Sequence, residues 1–86
     1  MTKRYDEPIE VEVSRLQPVA FSWRGRRYPV SRLLKYWREA GAGWDPERLR
    51  DHECFRVESE GGTYDLRHER RSSRVATSWR LLRVWD

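Results

Sequence analysis

A small, mainly β protein is what this sequence predicts: an antiparallel curved sheet or partly open barrel of five to six strands with one short helix, an α+β sheet being the alternative. Three observations predict it. Apolar residues alternate with charged ones along much of the chain, and two such runs turn back on themselves at Arg24-Gly25 and Gly61-Gly62. Eleven of the 86 residues are aromatic, and each large ring buries about 150–250 Å², which a chain this short needs for a core. One core is all that this length supports, so residues 1–86 read as a single domain.

The first strand is Pro8 to Val13, where Ile9, Val11 and Val13 alternate with Glu10 and Glu12. Proline suits its start, where no ladder donor is needed. The second and third strands form a hairpin. A two-residue loop at Arg24-Gly25 pairs Trp23 with Arg26, Phe21 with Tyr28 and Val19 with Val30, which puts the apolar partners on one face.

Ser31 to Ala40 fits two templates. Val30, Leu33, Leu34 and Trp37 have helical spacing, but the segment continues a strand and is ring-rich, which favours a bent or bulged strand. Gly41 to Gly43 is a loop. Asp45-Pro46-Glu47 then starts a helix of at most about two turns ending near Asp51, with a capping carboxylate and proline at the first position. A second hairpin follows: a turn centred on Gly61-Gly62 aligns Val57 with Leu66 and Phe55 with His68. Glu69 to Ala76 is an Arg-rich loop. Thr77 to Trp85 is apolar on both sides, as a central strand covered on both faces would be.

Net charge is +4, unevenly spread: −2 over Met1 to Ser14, +7 over Arg15 to Arg38, −5 over Glu39 to Asp65 and +4 beyond. The second block has no carboxylate, an asymmetry that attracts polyanions if it survives folding. Sixteen arginines against two lysines also fit the codon usage of a GC-rich genome. Cys54 is alone, so no intrachain disulfide forms. No stretch nears the roughly 18 apolar residues of a membrane span, and the first residues lack the apolar core of a signal peptide. The expectation is a cytoplasmic protein without membrane contact.

No catalytic constellation is visible, and the expectation is a non-enzymatic protein without cofactor or metal. His52 and His68 are the imidazoles and Cys54 the thiol, without the paired spacing of a zinc site. A Cys54–His68 nucleophilic pair is conceivable across the second hairpin, but a lone cysteine is more often a small buried hydrophobe. The stronger signal is the basic block interleaved with rings. Arg24, Arg26, Arg27, Arg32, Lys35 and Arg38, with Arg70, Arg71 and Arg74 of the later loop, are candidate phosphate contacts for nucleic acid. Stacking on bases, worth about 1–3 kcal/mol each, would fall to Tyr36 or Trp44, since Phe21, Trp23 and Tyr28 point inward. If the acidic middle lies between the basic regions, these cations are internal salt-bridge partners instead.

The runs PVAFSWRGRRYPV, LLKYWRE, CFRVESEGGTYDLRHE and WRLLRVWD resemble a small uncharacterised bacterial family of about this length, over Tyr5 to Asp86. That family is similar to the C-terminal region of inactive Y-family DNA polymerase homologues of mutagenesis cassettes, where a comparable strand–turn–strand pattern ends in a Trp-containing strand. The resemblance implies a context, DNA-damage tolerance, and no catalytic residue. This chain departs from the pattern at Arg70 to Arg74, where a more acidic, glycine-containing turn is expected. Two functions are therefore expected: a nucleic-acid-associated accessory protein, or a protein-interaction module that docks to a polymerase or other repair protein or self-associates.

Overall fold

The computed structural model describes residues 2–39, 52–69 and 78–85. They form seven strands: β1 (Lys3–Ser14), β2 (Gln17–Trp23), β3 (Arg26–Pro29), β4 (Arg32–Glu39), β5 (His52–Ser59), β6 (Gly62–Glu69) and β7 (Ser78–Trp85). All pairings are antiparallel, in the order β3-β2-β1-β7-β6-β5-β4, and the sheet curls into a half-barrel. The count exceeds the five to six expected because Arg32–Glu39 is a full strand. Among the described residues there is no helix, and the expected helix Asp45 to Asp51 lies outside them.

The Arg24-Gly25 hairpin has the expected register, Trp23 opposite Arg26 and Phe21 opposite Tyr28. Val30 extends it by donating its N–H to the Val19 carbonyl at 2.9 Å. The chain then switches partner. Only Val30 and Ser31 separate β3 from β4, so β3–β4 is one bent strand that leaves β2 and joins β5. Hydrogen bonds fasten the bend: Ser31 N–H to the Glu58 carbonyl at 2.8 Å, and the buried Ser59 hydroxyl to the Pro29 carbonyl at 2.7 Å. A bulge between Leu33 and Lys35 brings Leu33 opposite Val57 and Tyr36 opposite Phe55. It is the reason the segment also fits helical spacing.

Three expectations are corrected. Pro8 lies inside β1, opposite Arg80, rather than at its start. Pairing with β2 begins only at Glu10, so one side of the strand has no ladder at Pro8 to lose a donor from. In the second hairpin the turn is Glu60-Gly61, both at positive φ, 48° and 80°. Val57 therefore faces Tyr64, and Phe55 faces Leu66; the two-residue shift leaves every side chain on its expected face. Gly62 belongs to β6, and a Cβ there would lie 3.1 Å from the Tyr64 hydroxyl oxygen. Lastly, β7 is central, but its two-sided apolar pattern comes from a bulge. Leu66 faces Leu81 while Asp65 faces Arg83, so Leu82 is the extra residue. Inward positions thus run Trp79, Leu81, Val84, leaving Trp85 outside.

The concave side holds the core of Ile9, Phe21, Phe55, Val57, Leu66, Trp79 and Leu81, each burial worth about 1.5–3 kcal/mol. Tyr28 stacks on Phe21 at 4.9 Å, and Tyr64 meets it edge-on at 5.2 Å. Among the described residues, three tight turns each carry two residues at positive φ, the geometry that matches strand twist. Two of them place glycine second. The third, between β1 and β2, is Arg15-Leu16, at 51° and 65° without glycine, a conformation that costs an L-residue about 1–3 kcal/mol. Replacing it by Arg15→Asn with Leu16→Gly is expected to raise unfolding stability by about 1 kcal/mol or more. Urea midpoints check this, and an unchanged or lower midpoint would show that the turn is not strained.

Candidate functional site

Folding distributes the basic block over three places. Arg24 lies in the β2–β3 turn with Arg26 just after it, Arg27, Arg32 and Lys35 lie on the convex face, and Arg38 is in the concave row of β4. Arg24, Arg26, Arg27 and Arg32 meet carboxylates. Arg24 donates to Glu7 at 2.9 Å, Arg27 to Glu12 at 2.7 Å, and Arg26 pairs with Glu60. Arg32 lies 3.6 Å from Glu58. The acids come from the two blocks of opposite charge: Glu7 and Glu12 on β1, Glu58 on β5 and Glu60 in the β5–β6 turn. Arg70, Arg71, Arg74 and Trp44 lie outside the described residues.

These pairs have electrostatic consequences. The Arg24 guanidinium, and after it the Trp23 indole N–H at 3.2 Å, hold the Glu7 carboxyl below its ordinary value. Arg27 does the same for Glu12. Arg24 also sits over the Tyr5 and Trp23 rings, 5.2 and 4.6 Å from their centroids, so it caps the core at this end.

Among the described residues, the half-barrel is open at the opposite end. The β1–β2 hairpin tip (Val13, Arg15, Leu16, Gln17) and the β4 residues Leu33, Tyr36 and Arg38 face each other across a cavity of about 730 Å³. Phe55, His68 and Trp79 form its floor, with Glu53 in the wall. Register explains the floor: Trp79, His68, Glu53 and Arg38 are consecutive cross-strand neighbours over four strands. His68 stacks on Trp79 at 4.4 Å, and Tyr36 and Trp79 flank Phe55 at 5.0 and 5.4 Å. The lip is apolar and exposed, with Leu16 at 87%, Val13 at 49% and Tyr36 at 46% of full exposure.

The convex face carries a second feature. Arg56 lies between two indoles, 5.5 Å from Trp37 and 4.6 Å from Trp85, while Lys35 sits over Trp37 and Arg83 over Trp85. Trp85 reaches Arg56 across the small Thr63 of β6, its cross-strand neighbour. Asp65, 3% exposed, accepts from Arg56 at 2.8 and 3.2 Å, which raises the arginine's pKa. Lys35 and Arg83 contact rings, and among the described residues no carboxylate pairs with either.

Sequence reasoning did not single out Arg15, Leu16, Arg56, Arg83 or Trp85. The Arg83/Trp85 spacing marks one strand face, but placing it outside needed the Leu82 bulge. Cys54 and His68 project to opposite sides of the sheet, since Cys54 faces Arg67 and His68 faces Glu53. Among the described residues no three His, Cys, Asp or Glu side chains gather as a metal site would need, and no helix is long and apolar enough to cross a membrane.

The model of one protein family, DUF6504, a domain of unknown function, matches the chain over residues 1–86. No curated protein and no solved structure matches it.

Two outcomes are expected of the ion pairs. Depressed carboxyls stabilise the fold above their ordinary value of 4.5, and that contribution is lost as pH falls through their lower folded values. Between about pH 5 and pH 3, Tm should therefore drop more in the wild type than in a Glu7→Gln, Glu12→Gln variant; parallel curves would discount both pairs. Asp65→Asn should cost about 2 kcal/mol in urea unfolding, because it leaves a largely covered guanidinium without its charged acceptor.

Proposed function

We propose that this chain, which belongs to the DUF6504 domain family, is a non-catalytic protein-interaction module that engages its partner at the seam between the β1–β2 hairpin and β4. One observation carries the reading: bulky apolar side chains stand exposed around a cavity with an aromatic floor. Val13, Leu16 and Tyr36 lose water-exposed apolar surface only when something covers them, and such patches mark contact sites. The cavity volume lies within the range of sites that hold small ligands or anchoring side chains, about 300–1,000 Å³. The resemblance to the C-terminal region of inactive Y-family polymerase homologues supports DNA-damage tolerance as the setting, with a polymerase or another repair protein as partner.

A second reading, a nucleic-acid-associated accessory factor, draws support from the convex face. There, among the described residues, Lys35 and Arg83 are not engaged by carboxylates and flank two indoles. The basic hairpin supports it less, because a phosphate at Arg24, Arg26 or Arg27 must displace a glutamate.

Selection from a displayed random-peptide library tests the first reading, with fluorescence anisotropy of labelled single- and double-stranded DNA across a salt series beside it. Selected peptides are expected to bind the wild type and to weaken about tenfold or more with Leu16→Asp or Tyr36→Ser, while an Arg24, Arg26, Arg27 triple-Ala variant still binds them. Failure to select any seam-dependent peptide, together with salt-steep DNA binding lost in Lys35→Ala, Arg83→Ala, would overturn it in favour of nucleic acid.

A further inference from the structure

We infer that the convex face carries a second site, a row of cations along which the phosphodiester backbone of a single-stranded nucleic acid runs across the sheet. The inference goes beyond the module at the seam and rests on the nucleic-acid reading of this face. Its first ground is register. Arg4, Arg83, Asp65, Arg56 and Lys35 are consecutive cross-strand neighbours on β1, β7, β6, β5 and β4, so their side chains share one face. At about 4.8 Å per strand step the row is about 19 Å long. It sets four cations against one carboxylate. That carboxylate is already committed, since Asp65, 3% exposed, accepts from Arg56 at 2.8 and 3.2 Å.

A neighbouring row supplies the contrast. There Arg67 and Arg80 stand directly opposite each other, an arrangement of like charges that is destabilising. The fold answers it with Asp6: Arg80 donates to that carboxylate, and Arg67 lies 3.8 Å from it. Arg4 and Arg83 are opposed in the same way, but among the described residues no carboxylate pairs with either. Arg83 sits instead over the Trp85 ring at 5.5 Å, as Lys35 at the other end of the row sits over Trp37 at 5.4 Å. Arg4 and Lys35 are exposed and Arg83 is half-buried. An anion lying along the row relieves the Arg4–Arg83 repulsion, and cations over rings keep their N–H donors for its oxygens.

Shape and the order of charge identify that anion. Phosphates repeat at every nucleotide, so a linear row of cations tracks a backbone and engages several of them at once. A duplex is a convex rod and meets a convex face at few phosphates, and a flat bilayer touches only its crest; a single strand bends to follow it. The indoles hold Lys35, Arg56 and Arg83 in place beforehand, so less side-chain freedom is lost when a strand arrives.

The test measures anisotropy of a short fluorescein-labelled oligothymidine with the full chain across a salt series. Three variants accompany the wild type: Arg4→Gln, Lys35→Gln, Arg83→Gln in the row; Arg24→Gln, Arg26→Gln, Arg27→Gln in the hairpin, which removes as many charges; and the charge-keeping Arg4→Lys, Lys35→Arg, Arg83→Lys. Each phosphate contact contributes about 0.7 to the slope of log affinity against log salt for a single strand. The row variant is therefore expected to flatten the slope by about 2 and to weaken binding tenfold or more at low salt. The hairpin and charge-keeping variants should keep most of the slope. Equal flattening by the hairpin variant would overturn the row and make net charge the cause. Salt-steep binding that the row variant leaves unchanged would also overturn the row, while the nucleic-acid reading stands. If no oligonucleotide binds even at low salt, the row and that reading fall together. Duplex DNA bound as tightly as the single strand would overturn the choice of a single strand, and tighter capture by phosphatidylglycerol vesicles would make a lipid surface the occupant.

Discussion

The bend at Val30-Ser31 is the constraint on which the rest of this structure depends. β3 and β4 stand at opposite ends of the strand order, yet two residues join them. A flat seven-stranded sheet could not satisfy that connection, because neighbouring strands lie about 4.8 Å apart and two residues reach only about 7 Å. The sheet must curl until its ends meet. Ser31 and Ser59 hold them together through main-chain acceptors on the opposite side of the join. Where the ends are pinned, the concave side fills with Phe21, Tyr28 and Tyr64; where β4 departs from β2, it opens. Core and cavity are two results of one short connection.

Pairing also decides what the charge pattern becomes. A run of seven cations without a carboxylate looks, along the chain, like a polyanion site. In the sheet, β1 lies beside β2 and β5 beside β4, and both neighbours bring glutamates. The exposed pairs that result are individually worth about 0–1 kcal/mol, so their main effect is on the field around the molecule. The hairpin presents ion pairs to solvent in place of a stripe of positive potential. Cations held by indoles keep more of their external field, which shifts the basic character toward the convex face.

Much of the fold was legible in the sequence. Period-two alternation located β1, β2, β5 and β6, and the agreement of turn chemistry with cross-strand matching gave the register of the first hairpin. What misled was the bulge. One extra residue at Leu34 imitates helical spacing, and one at Leu82 imitates burial on two faces, because each reverses the inward parity partway along a strand. The Glu60-Gly61 turn was misplaced because Glu60 adopts a positive φ that composition assigns to the glycine pair beside it. The seam was the least legible part. It depends on Arg15-Leu16 turning without glycine and on the distance between two strands that do not pair, and neither leaves a mark in local pattern.

The place of β7 bears on how such a chain assembles. It lies between β1 and β6 and, among the described residues, is the strand that pairs with both the meander of the first three strands and that of the next three. Each meander can form from contacts close in sequence, but the continuous ladder from β1 to β6 waits for β7 to be synthesised. During translation the two halves would present their inner edges, β1 and β6, to other chains, and only the arrival of Ser78–Trp85 removes both edges together. Late closure of this kind makes folding slow relative to stability, and it places the hazard of misassociation in the interval before β7 emerges.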